Sequence, residues 1–283
     1  MQTDAFQFLA GLVKDRSGIV LTPDKVYLLE SRLMPIARRL GQASLDDLVA
    51  RARSREVPSV LDEIVEAMTT NESLFFRDVK PFDQFRRVAL PKLIEARAGA
   101  RQLKIWSAAC SSGQEPYSLA MVLAEEANRL QGWRVDVLGT DLSKAMVERA
   151  RGGVYSQFEV QRGMPAPMLA KYFVQDGEKW SVASTLRPMT RFHEFNLLDD
   201  PAPLGQFDVV FCRNVLIYFD QPTKAKILEQ IARRLPMDGL LYLGGSETVF
   251  GITDQFAPVP GERGVYCLTR QALSVATPIR AAA

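Results

Sequence analysis

The chain has 283 residues, 47% of them hydrophobic, enough for one large core with a small companion domain. Its 35 Lys and Arg against 33 Asp and Glu leave a formal net charge of +2, so no whole-molecule field draws it to nucleic acid or a membrane surface. A single histidine, His193, excludes Ser-His-Asp and Cys-His hydrolases and His-rich metal centres, and no metal site is expected.

In chain order, residues 1–80 read as helices. Apolar residues recur at threes and fours in AFQFLAGLV, KVYLLESRLMPIARRL and SVLDEIVEAM, with Pro23 and Pro58 near helix starts. The opening residues carry an early acid and alternate apolar with polar, unlike a signal peptide, and no run approaches the roughly 20 apolar residues of a membrane span. Cys110, Cys212 and Cys267 stand singly, with neither disulfide nor zinc spacing, which points to a reducing compartment, the cytoplasm. From Val88 onward strands alternate with helices: KIWSAA, EPYSLAMVLAEEANRL, RVDVLGTD, SKAMVERARG, then RFHEFNL, FDVVFCRN, TKAKILEQIARRL, GLLYLGG and GVYCL. Such a series predicts a mainly parallel sheet covered on both faces. His193 alternates with Phe192 and Phe195 in one of these strands and is given a structural role. Residues 152–190 break the alternation and read as a small inserted β-subdomain with a hairpin around QDGEKWSV; 271–283 reads as a flexible tail.

Open parallel sheets bind ligands beyond the carboxyl ends of their strands, where the strand order reverses. After KIWSAA comes Cys110-Ser111-Ser112-Gly113-Gln114-Glu115-Pro116, which has one glycine where a dinucleotide fingerprint needs three. Glu115 would repel a pyrophosphate but suits an ammonium group. Asp141 ends the next strand, where such folds hold ribose hydroxyls, and Asn196 with Leu197 can offer an amide and an apolar contact to adenine. Each residue also has a plainer reading, Asp141 as a helix cap and Asn196 as a turn residue. Jointly they describe a site for an adenosine bearing an amino acid and no phosphate, which S-adenosylmethionine satisfies.

Five motifs, MTTNESLFFRD (68–78), WSAACSSGQEPYS (106–118), GTDLS (139–143), FNLLDD (195–200) and FCRNVLIYFD (211–220), make the chain resemble the CheR family, the chemoreceptor glutamate methyltransferases of bacterial chemotaxis. The resemblance runs from the N-terminal helices to about Arg270. It implies an α/β fold: a Rossmann-like S-adenosylmethionine-dependent methyltransferase domain (81–270) with an N-terminal all-helical receptor-recognition domain (1–80) and the inserted β-subdomain. It further implies that Asn71, Ser73 and Arg77 reach the cofactor, Ser73 standing where threonine is common, and that Glu115, Asp141, Asn196, Leu197, Arg213 and Asn214 surround it. Arg77 and Tyr218 are implied beside the transferred methyl group, with S-adenosylhomocysteine as the product.

A glutamate carboxylate has an unperturbed pKa of about 4.3 and is already an ionised nucleophile at neutral pH, so no general base is required. Lys25, Arg32 and Arg39 fall at heptad spacing on a helix expected from Asp24 to Arg39, with Arg38 adjacent. In light of the resemblance this stripe is expected to contact the acidic helical bundle of a receptor. Some family members also grip a C-terminal pentapeptide of the receptor through a longer hairpin loop; the shorter YFVQDGEKWSVASTL here predicts an enzyme without that tether. A monomer is expected, with neither nucleic acid nor membrane insertion. The rival readings are a methyltransferase of another acceptor, a non-catalytic scaffold that keeps the fold, and a nicotinamide enzyme, which the missing glycine fingerprint disfavours.

Overall fold

The computed structural model describes residues 2–54 and 58–269. These form two compact units: residues up to Thr70 together with Tyr218–Lys224, and Asn71–Ile217 together with the chain from Ala225 on. The expected tail, 271–283, lies outside the described residues.

The first unit contains α1 (Thr3–Ser17), α2 (Val26–Arg39), α3 (Leu45–Arg53) and α4 (Pro58–Met68). The apolar positions at helical spacing meet in one core, with Leu9, Leu29, Leu33, Leu48 and Ile64 fully buried. Ser44 caps α3 by accepting from the Asp47 N–H, and Gly18 ends α1 in the left-handed conformation at φ 78°. The helix expected from Asp24 begins instead at Val26. Pro23–Lys25 forms a 3-10 turn, and Lys25, at φ −97° and ψ 14°, departs from helical geometry just where α2 starts.

In the second unit α5 (Lys80–Gln84) passes through a π turn, Phe85–Ala89, into α6 (Leu90–Ala96). There follow β1 (Gln102–Ala108), α7 (Gln114–Glu125), β2 (Arg134–Asp141), α8 (Lys144–Gly152), β3 (Val154–Ser156), α9 (Gln157–Gln161), α10 (Ala166–Tyr172), β4 (Phe173–Asp176), β5 (Lys179–Val182), β6 (Thr190–Glu194), β7 (Val209–Cys212), α11 (Gln221–Ala232), β8 (Leu240–Leu243), β9 (Phe256–Pro258) and β10 (Val265–Leu268). The main sheet has the order β6-β2-β1-β7-β8-β10-β9. Its first five strands are parallel, and β10 and β9 add an antiparallel edge. The three-residue β9 has no signature in the sequence. The central strand β7 is buried throughout, which is why VVFC reads as an unbroken apolar run. The chain leaves β1 toward β2 and β6 on one side and returns to β7 on the other, so the strand order reverses between β1 and β7.

The inserted segment forms its own antiparallel sheet, β3-β5-β4. Its hairpin pairs Asp176 with Lys179 across a two-residue turn, with Gly177 at φ 58° in the position such turns reserve for glycine. His193 lies exposed on β6 at the sheet edge.

The division between the units falls at Thr70/Asn71 rather than near residue 80. Two aromatic side chains cause this. Phe75 is wholly buried, edge-on to Tyr155 at 4.9 Å and Phe173 at 5.4 Å, and Phe76 packs edge-on against Phe82 at 5.3 Å. Burying each contributes about 1.5–3 kcal/mol, so the segment 71–78 is fastened to the α/β unit. The approach is close enough that a Cβ on Gly163 would lie 2.2 Å from the Phe75 carbonyl oxygen.

Candidate active site

The loop after β1 is bent three times within five residues. Ala109 (φ 60°), Ser111 (φ 50°) and Gly113 (φ 93°) are all left-handed, and the two non-glycine residues each cost about 1–3 kcal/mol. Surrounding bonds hold the loop in this shape. The Cys110 N–H donates to the Thr140 carbonyl at 2.8 Å and the Ser111 N–H to Asp141 Oδ2 at 2.7 Å. The Ser111 hydroxyl donates to the Asn71 carbonyl at 2.9 Å. From the inserted sheet, the buried Tyr155 hydroxyl donates to the Ser112 carbonyl at 2.7 Å, a support that nothing local in the sequence announces.

Asp141 is buried, and its second oxygen accepts from the Ser143 N–H at 2.9 Å. It therefore acts as the clamp of two loops. Glu115, in the first turn of α7, accepts from the Ser107 hydroxyl and from Arg213 Nη1, both at 2.8 Å. Arg213 has a side chain only 1% exposed. It also donates to Asp78 Oδ2 at 2.6 Å and to the Arg77 carbonyl at 3.1 Å, and its guanidinium lies over the Phe82 ring. Arg213 thus joins the strand ends to the segment 71–78. Arg77 is half-buried, with Nη1 donating to the Glu72 carbonyl at 3.1 Å; Ser73 is half-buried beside it in sequence. Asn196 closes an Asx turn by accepting from the Leu198 N–H at 3.0 Å, with Leu197 half-buried between them, and the Phe195 N–H donates to the Asp141 carbonyl at 2.9 Å. Asn214 is left-handed at φ 60° and its N–H donates to Glu247 Oε2 at 2.7 Å. Tyr218 groups with the helical unit, where its carbonyl accepts from the Val20 N–H at 2.9 Å.

Carboxylates dominate this end of the sheet. Burial first, then the charges of Asp141 and Glu115, push the Cys110 thiol well above its usual range; burial, then Glu247 and Glu115, does the same to Cys212. Two N–H groups of the loop are engaged internally, Ser111 on Asp141 and Gly113 on the Cys110 carbonyl. The carboxylates at this end of the sheet oppose a phosphate and suit a ligand carrying sulfonium and ammonium charge.

The cations of α2 are engaged differently from one another. Arg32 reaches the end of α4, where Nη1 donates to the carbonyls of Met68 at 3.0 Å and Thr69 at 2.9 Å. It thereby satisfies carbonyls that a helix terminus leaves open. Arg39 pairs with Glu63. Arg32 and Arg39 are thus bonded to α4 and its end, Arg39 remaining exposed as are Tyr27, Glu30, Pro35 and Arg38; Lys25 is half-buried in the 3-10 turn. Among the described residues no helix is long and apolar enough to cross a membrane.

A parallel sheet with acid-bearing loops at its reversal point is where open α/β folds bind a ligand, and the family match below makes the class that of S-adenosylmethionine-dependent methyltransferases. Residues 71–265 match the SAM-binding domain of CheR methyltransferases, and residues 4–69 match the all-alpha domain of the same enzymes. Chemotaxis protein methyltransferase 1 of Pseudomonas aeruginosa is 41% identical over 264 residues, covering 92% of this chain and 96% of the relative. Chemotaxis protein methyltransferase Cher2 of Pseudomonas putida is 40% identical over 252 residues (88% and 91%), and the chemotaxis protein methyltransferase of Vibrio parahaemolyticus is 41% identical over 259 (89% and 92%). The chain belongs to the CheR methyltransferase family.

Proposed function

We propose that this enzyme transfers the methyl group of S-adenosylmethionine to glutamate side-chain carboxylates on the cytoplasmic helical bundle of chemoreceptors, leaving S-adenosylhomocysteine and a glutamate methyl ester. The observation that carries the reading is the convergence of Glu115 and Asp141 on the ends of β1 and β2, beside a loop without the three-glycine fingerprint of a dinucleotide site. The names of its relatives support chemotaxis as the setting. The cofactor supplies an activated methyl group. The chain's residues bind, orient and exclude water: Glu115 faces the ammonium, Asp141 the ribose, Asn196 and Leu197 the adenine, while Asn71, Ser73, Arg213 and Asn214 shape the pocket. Arg77 orients a carboxylate, and the Tyr218 hydroxyl aligns the attacking oxygen. A neutral phenol suits that task, because a close cation would weaken the nucleophile. Orientation of this kind can supply about 7–11 kcal/mol.

Labelled cofactor incubated with receptor-bearing membranes is expected to yield base-labile label on receptor bands; label stable to base would exclude a carboxyl ester. In the same assay Tyr218→Phe is expected to lower turnover at least about tenfold with cofactor affinity, measured by calorimetry, within a few-fold. Equal collapse of binding would make Tyr218 structural.

The two-residue turn at Gly177 supports a second element of the proposal: this monomeric, cytoplasmic enzyme finds its receptor without a C-terminal pentapeptide tether, through the helical unit. Receptors lacking their C-terminal tail should be methylated as fast as intact ones, and Arg38→Glu should slow the reaction. Arg38 is a cleaner probe than Arg32 and Arg39, whose replacement also removes bonds inside the helical unit. Micromolar binding of an aromatic-acidic receptor-tail peptide would overturn the tether-free reading.

A further inference from the structure

The most heavily hydrogen-bonded carboxylate at this end of the sheet is Glu247, beyond β8 in the sequence GGSE. Its Oε2 accepts from the N–H groups of Gly244 and Asn214, both at 2.7 Å. Its Oε1 accepts from Leu216 at 2.7 Å, Val215 at 2.9 Å and Ile217 at 3.4 Å. Glu247 is 9% exposed and, among the described residues, makes no ion pair. Backbone N–H groups alone therefore stabilise a nearly buried charge, an arrangement that fixes the peptide planes supplying them. Gly244 makes room for it, since a Cβ there would lie 2.7 Å from both Glu247 Oε2 and Asn214 Nδ2. The clamped residues begin with Asn214, held at φ 60°, and run to Ile217, inside the 3-10 turn Leu216–Tyr218.

We propose that Glu247 is a positioning residue for methyl transfer, setting the backbone of Asn214–Ile217 so that Asn214 is held in one reactive geometry. The inference rests on the methyl-transfer reading. An in-line displacement tolerates little error in the placement of its surrounding groups, and displacements of about 1 Å cost about a hundredfold in rate. Glutamine at this position would keep the shape, lose the charge and turn an NH2 group toward N–H donors.

The test compares the full-length wild type with Glu247→Gln and Glu247→Asp. Methylation of receptor-bearing membranes is read alongside S-adenosylhomocysteine calorimetry, thermal unfolding and amide hydrogen exchange. Glu247→Gln is expected to lower kcat at least tenfold per binding-competent molecule, with amides 214–217 losing protection, and Glu247→Asp to restore part of both. A lower Tm with kcat per binding-competent molecule unchanged would mean a structural role only and would overturn the proposal. Should Glu247→Gln fail to fold, Gly244→Ala presses on the same clamp without removing the carboxylate, and is judged by the same loss of kcat. If the wild type labels no receptor, it is the acceptor reading that fails. Amide exchange then decides the clamp, and protection of 214–217 retained in Glu247→Gln would sink it.

Discussion

Replacing Arg213 by methionine is expected to destabilise the protein by about 3–5 kcal/mol and to weaken cofactor binding at least tenfold. The guanidinium bridges Glu115 and Asp78 while almost wholly buried, and removing one partner from a buried pair leaves an uncompensated charge behind. Glu115 would keep only the Ser107 hydroxyl, and the segment 71–78 would lose its bonds at the Arg77 carbonyl and Asp78. Urea unfolding should show a lower midpoint with an unchanged slope. Because the penalty comes from the orphaned carboxylate, Arg213→Met combined with Glu115→Gln should regain part of the stability and none of the cofactor affinity. Stability of the single variant within about 1 kcal/mol of wild type would show that the pair contributes little.

The second large effect is expected at Asp141. Asp141→Ala removes the proposed ribose acceptor together with the acceptor for the Ser111 and Ser143 N–H groups. Hydrogen bonds to a charged group are worth about 1.5–3 kcal/mol each, and about 1.4 kcal/mol is tenfold in affinity, so binding of S-adenosylmethionine should weaken at least tenfold in calorimetry. The loop at Ala109 and Ser111 is held in left-handed conformations by these bonds and should relax. Unchanged affinity in Asp141→Ala would assign the residue to loop clamping alone.

Much of this site was legible because ligands of parallel sheets sit just beyond strand ends. Glu115, Asp141 and Asn196 could be picked out wherever an apolar run stopped. The same rule, carried past GLLYLGG, would have reached Glu247 three residues beyond the second glycine's neighbour Gly244. The plainer reading of Asn196 as a turn residue is present as a hydrogen bond from the Leu198 N–H, whereas the cap of α8 is Ser143, and Asp141 accepts from the N–H of that capping residue.

By itself the sequence determined the helical unit, the parallel sheet, the inserted hairpin and the chemical character of the strand-end loops. Each of these is written in a local signal: the 3.6-residue period, the unbroken apolar run, the glycine at a two-residue turn. Only the tertiary structure decided what the charged residues do. Arg32 and Arg39 fall seven residues apart on α2, with Lys25 outside it, but periodicity says which residues share a face and not what that face meets, so the attachment of Arg32 to the end of α4 could not be read. The same holds for Phe75 and Phe76 moving the boundary to Thr70/Asn71, and for Arg213 meeting Asp78 across 135 positions of sequence. Hydrogen bonds and ion pairs of this kind depend on distances of about 3 Å between atoms that the chain brings together only by folding, and no local pattern records them.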